Sequence, residues 1–404
     1  MSDIRCSGYE RKNPPLVSRM FAFIIYAWFF LITLQSYYFY TLSASIPPLF
    51  ASLVSIPFLV IVALYSPTKF SGAISSARFF LVLFFSFLLV SFFSPLFLGF
   101  VPSFNIRRLF FFLVSLPPAI FFVYLLHWKR KLLVKCFVFT ISLHLIFFYS
   151  QVILYYSGYG FVDFLYPITG EAQRAFGGSY AIGSMRLMRG VGLYNEPGTY
   201  AAFMMLIYVS YLTVSRRLVN KLEIKPIDLL VIFSVAMSFS TLGYVLILIF
   251  LLILFVKSRP SYFLFIAPIV LFLTYMAFEY YFSHRFVDLN SGGVGFRLEA
   301  LYEYSKLVAV NPLVVMFGVG ALTDTGSAIA HFSWSDLSFL VNFFVQAGMF
   351  GLLLLFLTCF LGRRLHGVFI VLVFLMLSKL HLGLLLTWIL LSLVTYRVEA
   401  KPAD

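Results

Sequence analysis

Arg186 and Arg189 stand three residues apart in a stretch otherwise poor in charge. On a helix that spacing puts both guanidiniums on one face, aimed at one point. The planar fork of arginine grips phosphate in a bidentate way, so the pair points to an anion site. A solvated loop face, or ion pairs with Glu171 and Glu196, is the competing reading. Just downstream, Tyr194-Asn195-Glu196-Pro197-Gly198 reads as the start of a helix: Pro197 suits the first helical position, and Asn195 or Glu196 would cap it. The exposed amides and dipole of such a helix start favour a negative ligand where the two arginines reach. Glu196 then either caps its own helix or acts in catalysis.

A second group lies a hundred residues on. Gly295 to Val308 has a helical pattern, with Leu298, Leu301, Tyr302 and Val308 on an apolar side and Glu299, Glu303 and Lys306 on a polar one, as expected of a helix lying on a membrane surface. Arg297 opens it, and a surface salt bridge with Asp288 or Glu299 is its ordinary reading. Asn311-Pro312 ends the helix. Gly318-Val319-Gly320 then makes a turn ahead of a polar stretch with Asp324, His331 and Asp336. No metal-spaced His or Cys cluster, phosphate-binding glycine loop, nucleophile elbow or repeat is evident, so no metal or cofactor is expected.

The elements that must position these residues are set by composition. Of 404 residues, 62% are apolar and 11% charged, and the mean hydropathy is +0.99. A water-soluble fold is excluded, because soluble domains are nearer half apolar and a quarter charged. Roughly 250 apolar residues allow about twelve transmembrane helices in a single integral membrane domain. The runs fall near 20 to 42, 48 to 66, 79 to 100, 109 to 126, 136 to 157, 198 to 214, 226 to 239, 242 to 256, 260 to 282, 336 to 361, 367 to 378 and 382 to 396. A membrane barrel would need alternating ten-residue segments instead.

The net charge of +14 reports topology rather than nucleic-acid binding, since Lys and Arg collect on cytoplasmic loops. Lys69, Arg78, Lys129 to Lys131, Arg216, Arg217, Lys257, Arg363 and Arg364 fall on one side, which puts both termini in the cytoplasm. Cys6, Cys136 and Cys359 sit near cytoplasmic ends and imply no disulfide. The stretch from Pro226 to Val256 is either one tilted helix or two short ones broken at Ser238 to Gly243. The Ser, Thr and Gly cluster and the charge count favour the break. Two connections, 158 to 197 and 283 to 335, are far longer than a turn requires and lie together on the outer side, so the chemistry is expected there.

Arg189-Gly-Val-Gly-Leu-Tyr-Asn-Glu196-Pro197-Gly198, then Arg297 followed by Asn311-Pro312 and Gly318-Val319-Gly320, then a helix entered through Asp336 that reaches Gly348 and Gly351, resembles the O-antigen polymerase and ligase superfamily over roughly the C-terminal half of the chain. The resemblance implies an all-α, multi-span glycosyltransferase of the GT-C type in the bacterial inner membrane. Such an enzyme would be inverting and metal-independent, and would use undecaprenyl-diphosphate-linked glycans at the periplasmic face. Arg189 and Arg297 match the arginine positions of the family's two loops, and Arg186 is added on geometry alone; catalytic roles are expected for Arg189, Arg297, Glu196 and Asp336, with Arg186, Tyr194, Asn195 and His331 around the substrate. The expected partners are membrane lipid, a chain-length regulator and a flippase, and no nucleic acid. Ligases carry a histidine near the position of Asp336, so its aspartate favours a polymerase, although His331 lies five residues earlier. A transporter of lipid-linked sugars is the alternative of another class; ionisable residues avoid the span centres, and no half matches the other.

Overall fold

Long apolar runs become helices here because a backbone in hydrocarbon finds no water and must satisfy its N–H and C=O groups within each segment. The structure, a computed structural model, describes residues 16–34, 38–39, 42–98, 103–104, 106–169, 172–173, 181–182, 185–186, 188–218, 225–258, 293–324, 337–361 and 367–397. The expected span at 260 to 282 lies outside them, as do Glu171, His331 and Asp336.

Each of the other apolar runs contains a helix. In chain order the helices are α1 Leu16–Thr33, α2 Ile46–Tyr65, α3 Pro67–Ser76, α4 Arg78–Leu98, α5 Ile106–Trp128, α6 Arg130–Leu154, α7 Tyr166–Thr169 and α8 Pro197–Val214. They continue with α9 Pro226–Met237, α10 Thr241–Ser258, α11 Gly293–Val310, α12 Leu313–Phe317, α13 Phe339–Phe360, α14 Val368–Leu377 and α15 Leu385–Val394. The strands are antiparallel pairs of a few residues: β1 Tyr38–Phe39 with β2 Leu42–Ser45, β3 Ser103–Phe104 with β6 Thr323–Asp324, and β4 Ala181–Ile182 with β5 Met185–Arg186. The first apolar run therefore leaves the helix at Thr33, where aromatic residues with strand preference take over.

Among the described residues four helices are long and apolar enough to cross a membrane, in α5, α6, α8 and α13, and α3 with α4 makes a fifth if their 61° bend is one broken span. The other apolar helices are shorter. A ten-residue helix such as α14 rises about 15 Å, half the hydrocarbon thickness. Counting apolar residues does not separate these cases, because crossing depends on unbroken helix.

α8 is the axis of the bundle. Its membrane-length window is 94% buried, against 44% or 50% for the other three long helices, and it packs against α6, α9, α10 and α14. The expected break after α9 is present, with Phe239 in the left-handed region at φ 47°. A Cβ on Gly243 would lie 3.3 Å from the Val235 carbonyl and 3.0 Å from Ala201 Cβ. Eight residues of continuous helix would separate Val235 from Gly243 by about 12 Å, so the chain reverses here.

The ends of the bundle differ. At one end Arg130 Nε donates to the Val214 carbonyl at 2.5 Å, Trp128 Nε1 to that of Lys69 at 3.1 Å, and Arg217 grips Asp228 through both carboxylate oxygens at 2.9 and 2.6 Å. That bidentate bond to Asp228 raises the Arg217 pKa above its ordinary value. The opposite end holds the end of α6 and the starts of α8 and α13.

The glycines of the second connection lock it to α13. Gly348 interrupts that helix at φ 64°, and the carbonyls released upstream accept the N–H groups of Val319 (Val345 O, 2.9 Å) and Gly320 (Gln346 O, 3.0 Å). A Cβ on Gly318 would strike the Gln346 backbone, and one on Gly348 the Met316 carbonyl. Ala321 N–H also donates to Ser91 Oγ on α4 at 3.2 Å. Gly348→Ala should therefore cost a left-handed penalty of about 1–2 kcal/mol and a backbone collision besides. Gly158→Ala is the control, because φ is 91° there with nothing within 4 Å of the new Cβ. Thermal unfolding in detergent should rank Gly348→Ala well below Gly158→Ala, and equal melting would show that the α12–α13 lock does not stabilise the fold.

Candidate active site

The segment that carries Arg189 is held from below by side-chain amides. Gln151, buried near the end of α6, accepts the N–H groups of Val191 and Gly192 on Oε1 at 2.9 and 3.1 Å. Its Nε2 donates to Val162 O and to Gln173 Oε1, each at 2.9 Å. Gln173 Nε2 in turn donates to the carbonyls of Gly192 (2.8 Å) and Tyr194 (3.0 Å), and its own N–H goes to Asp163 Oδ2 at 2.7 Å. Buried backbone without such partners would cost about 1–3 kcal/mol per group. Gly190 lets the segment lie on the Phe148 ring, which occupies the place of a Cβ and stacks on Tyr200 at 4.6 Å. Gly192 supplies the φ of 56° that turns the chain.

That fixing places the first group of expected residues. Tyr194 is fully buried, its hydroxyl donating to the Thr33 carbonyl at 3.0 Å and lying 3.4 Å from His144 Nε2. It fastens the end of α1 to the core. Asn195 and Arg189 are half-buried. Arg186 belongs to β5, opposite Ala181. Arg186 is thus in a strand rather than on the helical face expected with Arg189.

Glu196 takes the N-cap position of α8 in extended conformation (φ −136°, ψ 147°) with Pro197 first in the helix, but its carboxylate makes no cap bond. It turns instead to Lys379 Nζ, 3.1 Å away, with the two side chains 23% and 18% exposed. Lys379 lies between α14 and α15. The residue before it, Ser378, accepts the N–H of Phe339, the first residue of α13, at 2.7 Å. A Cβ on Gly198 would sit 3.5 Å from Ser240 Oγ and 3.6 Å from Lys379 Cε and Nζ. The starts of α8 and α13, the α9–α10 reversal and the α14–α15 turn therefore meet at one junction.

The second group lies on α11, whose inner face packs against residues flanking the start of α13. Arg297 lies in its first turns; Ala300 and Tyr304, one and two turns later, form a small core with Val314, Val319, Leu337 and Val345. Leu337 directly follows Asp336. Of the side expected to be apolar, Leu298, Leu301 and Tyr302 are exposed, while Val308 is half-buried against that small core; Lys306 pairs with Glu303 at 2.8 Å.

Sequence reasoning had missed Gln151, Gln173 and the pairing of Lys379. Gln151 carried a signal, because a polar amide in a long apolar helix needs a partner. Gln173 and Lys379 carried none, being joined to their partners by tertiary contacts alone. Chemically the junction combines a helix N-terminus, the ammonium of Lys379 and a carboxylate that makes no bond to its own helix, with Arg189 seven residues upstream in the sequence, a set able to bind an anion and accept a proton. Among the described residues no three His, Cys, Asp or Glu side chains are grouped to hold a metal ion. Compared with the models of known families, with curated proteins and with solved structures, the chain matches none.

Proposed function

We propose that this chain is an O-antigen polymerase, a metal-independent inverting glycosyltransferase of about twelve spans and GT-C type in the bacterial inner membrane. On this reading both termini are cytoplasmic and residues 158 to 197 and 283 to 335 are periplasmic. The observation that carries the proposal is the junction. The segments bearing Arg189 and Glu196, and the helix start next to Asp336, are distant in sequence and are tied together through Ser378 and Lys379.

The donor is a growing glycan on undecaprenyl diphosphate, and the acceptor a hydroxyl on a new lipid-linked repeat unit. The hydroxyl oxygen bonds to the anomeric carbon while the carbon–oxygen bond to the diphosphate breaks, and the electron pair leaves with the diphosphate. Arg189 and Arg297 stabilise that growing charge, with the amides at the start of α8 adding a fixed dipole. Glu196 or Asp336 takes the hydroxyl proton. Arg186, Tyr194, Asn195 and His331 complete the substrate set, Tyr194 by holding the segment in place.

Purified protein in liposomes, given a single lipid-linked repeat unit and a chelator, should build a ladder of longer lipid-linked glycans and release one lipid diphosphate per bond formed. Release of the diphosphate with free sugar and no ladder would reject polymerisation.

A further inference from the structure

We infer that Lys379 is a positioning residue for Glu196: it draws the carboxylate away from its own helix and holds it at the junction, where it works on the substrate. The inference rests on the polymerase reading above. Three observations point to this role rather than to a surface ion pair. The partners are 183 residues apart and part-buried, whereas a pair that adds little is exposed and local. An N-cap carboxylate ordinarily accepts an N–H two or three residues on, and Glu196 makes no such bond. Lys379 also follows the residue whose carbonyl holds the first amide of α13. One short turn therefore sets Glu196 and the start of the second polar segment relative to each other.

A staple and a positioning residue respond differently to reversal of the pair. Exchanging the charges, Glu196→Lys with Lys379→Glu, can restore an ion pair and the folding it supports but leaves an ammonium where the carboxylate worked. Melting in detergent and liposome polymerisation should be measured for this double variant, for Lys379→Arg and for Lys379→Met. We expect Lys379→Met to lower turnover by about a hundredfold, the scale of a reacting group misplaced by an ångström. Lys379→Arg should recover most of that loss, and the double variant should melt near the wild type yet stay inactive.

Turnover restored in the double variant, or Lys379→Met within about threefold of wild type, would overturn the positioning role. If Lys379→Met fails to fold, Lys379→Arg and the double variant still decide, because a low turnover in a well-folded Lys379→Arg would also count against it. Failure of the polymerase reading looks different: the wild type itself would make no ladder, and the role assigned to Lys379 would fall with it.

Discussion

Arg189→Ala and Arg297→Ala should each lower polymer formation at least about a hundredfold at normal protein levels. Removing a fixed charge that acts on the leaving group costs about 3 kcal/mol or more, and each 1.4 kcal/mol is about a factor of ten in rate. The two sites are over a hundred residues apart in sequence, so equal losses would argue that they serve one diphosphate. Arg189 is half-buried on a segment whose backbone is fixed by Gln151 and Gln173, and the start of α8 adds its dipole nearby. Arg297 opens α11, which is anchored through Ala300 and Tyr304 to Leu337. Lysine at either place should rescue poorly, because a point charge lacks the planar fork that holds two oxygens at once. Polymer of normal length and amount from both alanine variants would remove the leaving-group role.

The helices were legible because apolar runs of sufficient length have few other structures open to them in lipid, and the reversal at Ser238 to Gly243 was legible because small polar residues interrupt one such run. The start of α8 at Pro197 followed from proline's fixed φ and missing N–H. What local pattern does not reveal is how far a helix continues or which distant group a side chain meets. Nothing in the sequence around Lys379 names Glu196 as its partner, and nothing near Gly318 reveals that α13 breaks at Gly348 to receive it. Arg186 and Arg189 illustrate the opposite limit: a spacing of three puts side chains on one face only if the segment is helical, and Arg186 lies in β5. In α11 the pattern grouped Val308 with Leu298, Leu301 and Tyr302, which are exposed, whereas the inward face is made by Ala300, Tyr304, Leu307 and Val308.

Polymerase and ligase use the same lipid-linked material at successive steps, so the lipopolysaccharide made by cells without this chain separates them most directly. Without a polymerase the ligase still transfers single units; without a ligase nothing reaches the core. Asp336→Asn gives the residue-level form of the test, since it keeps the side-chain shape and removes a charge, and it should reproduce the deletion if this carboxylate takes the proton. An active Asp336→Asn beside an inactive Glu196→Gln would assign the proton to Glu196 instead. The deciding measurement is the gel profile of lipopolysaccharide from the deletion strain, complemented and not: the account predicts core bearing one repeat unit, restored to long chains by the wild-type protein, whereas a bare core with polymer accumulating on its lipid carrier would contradict it.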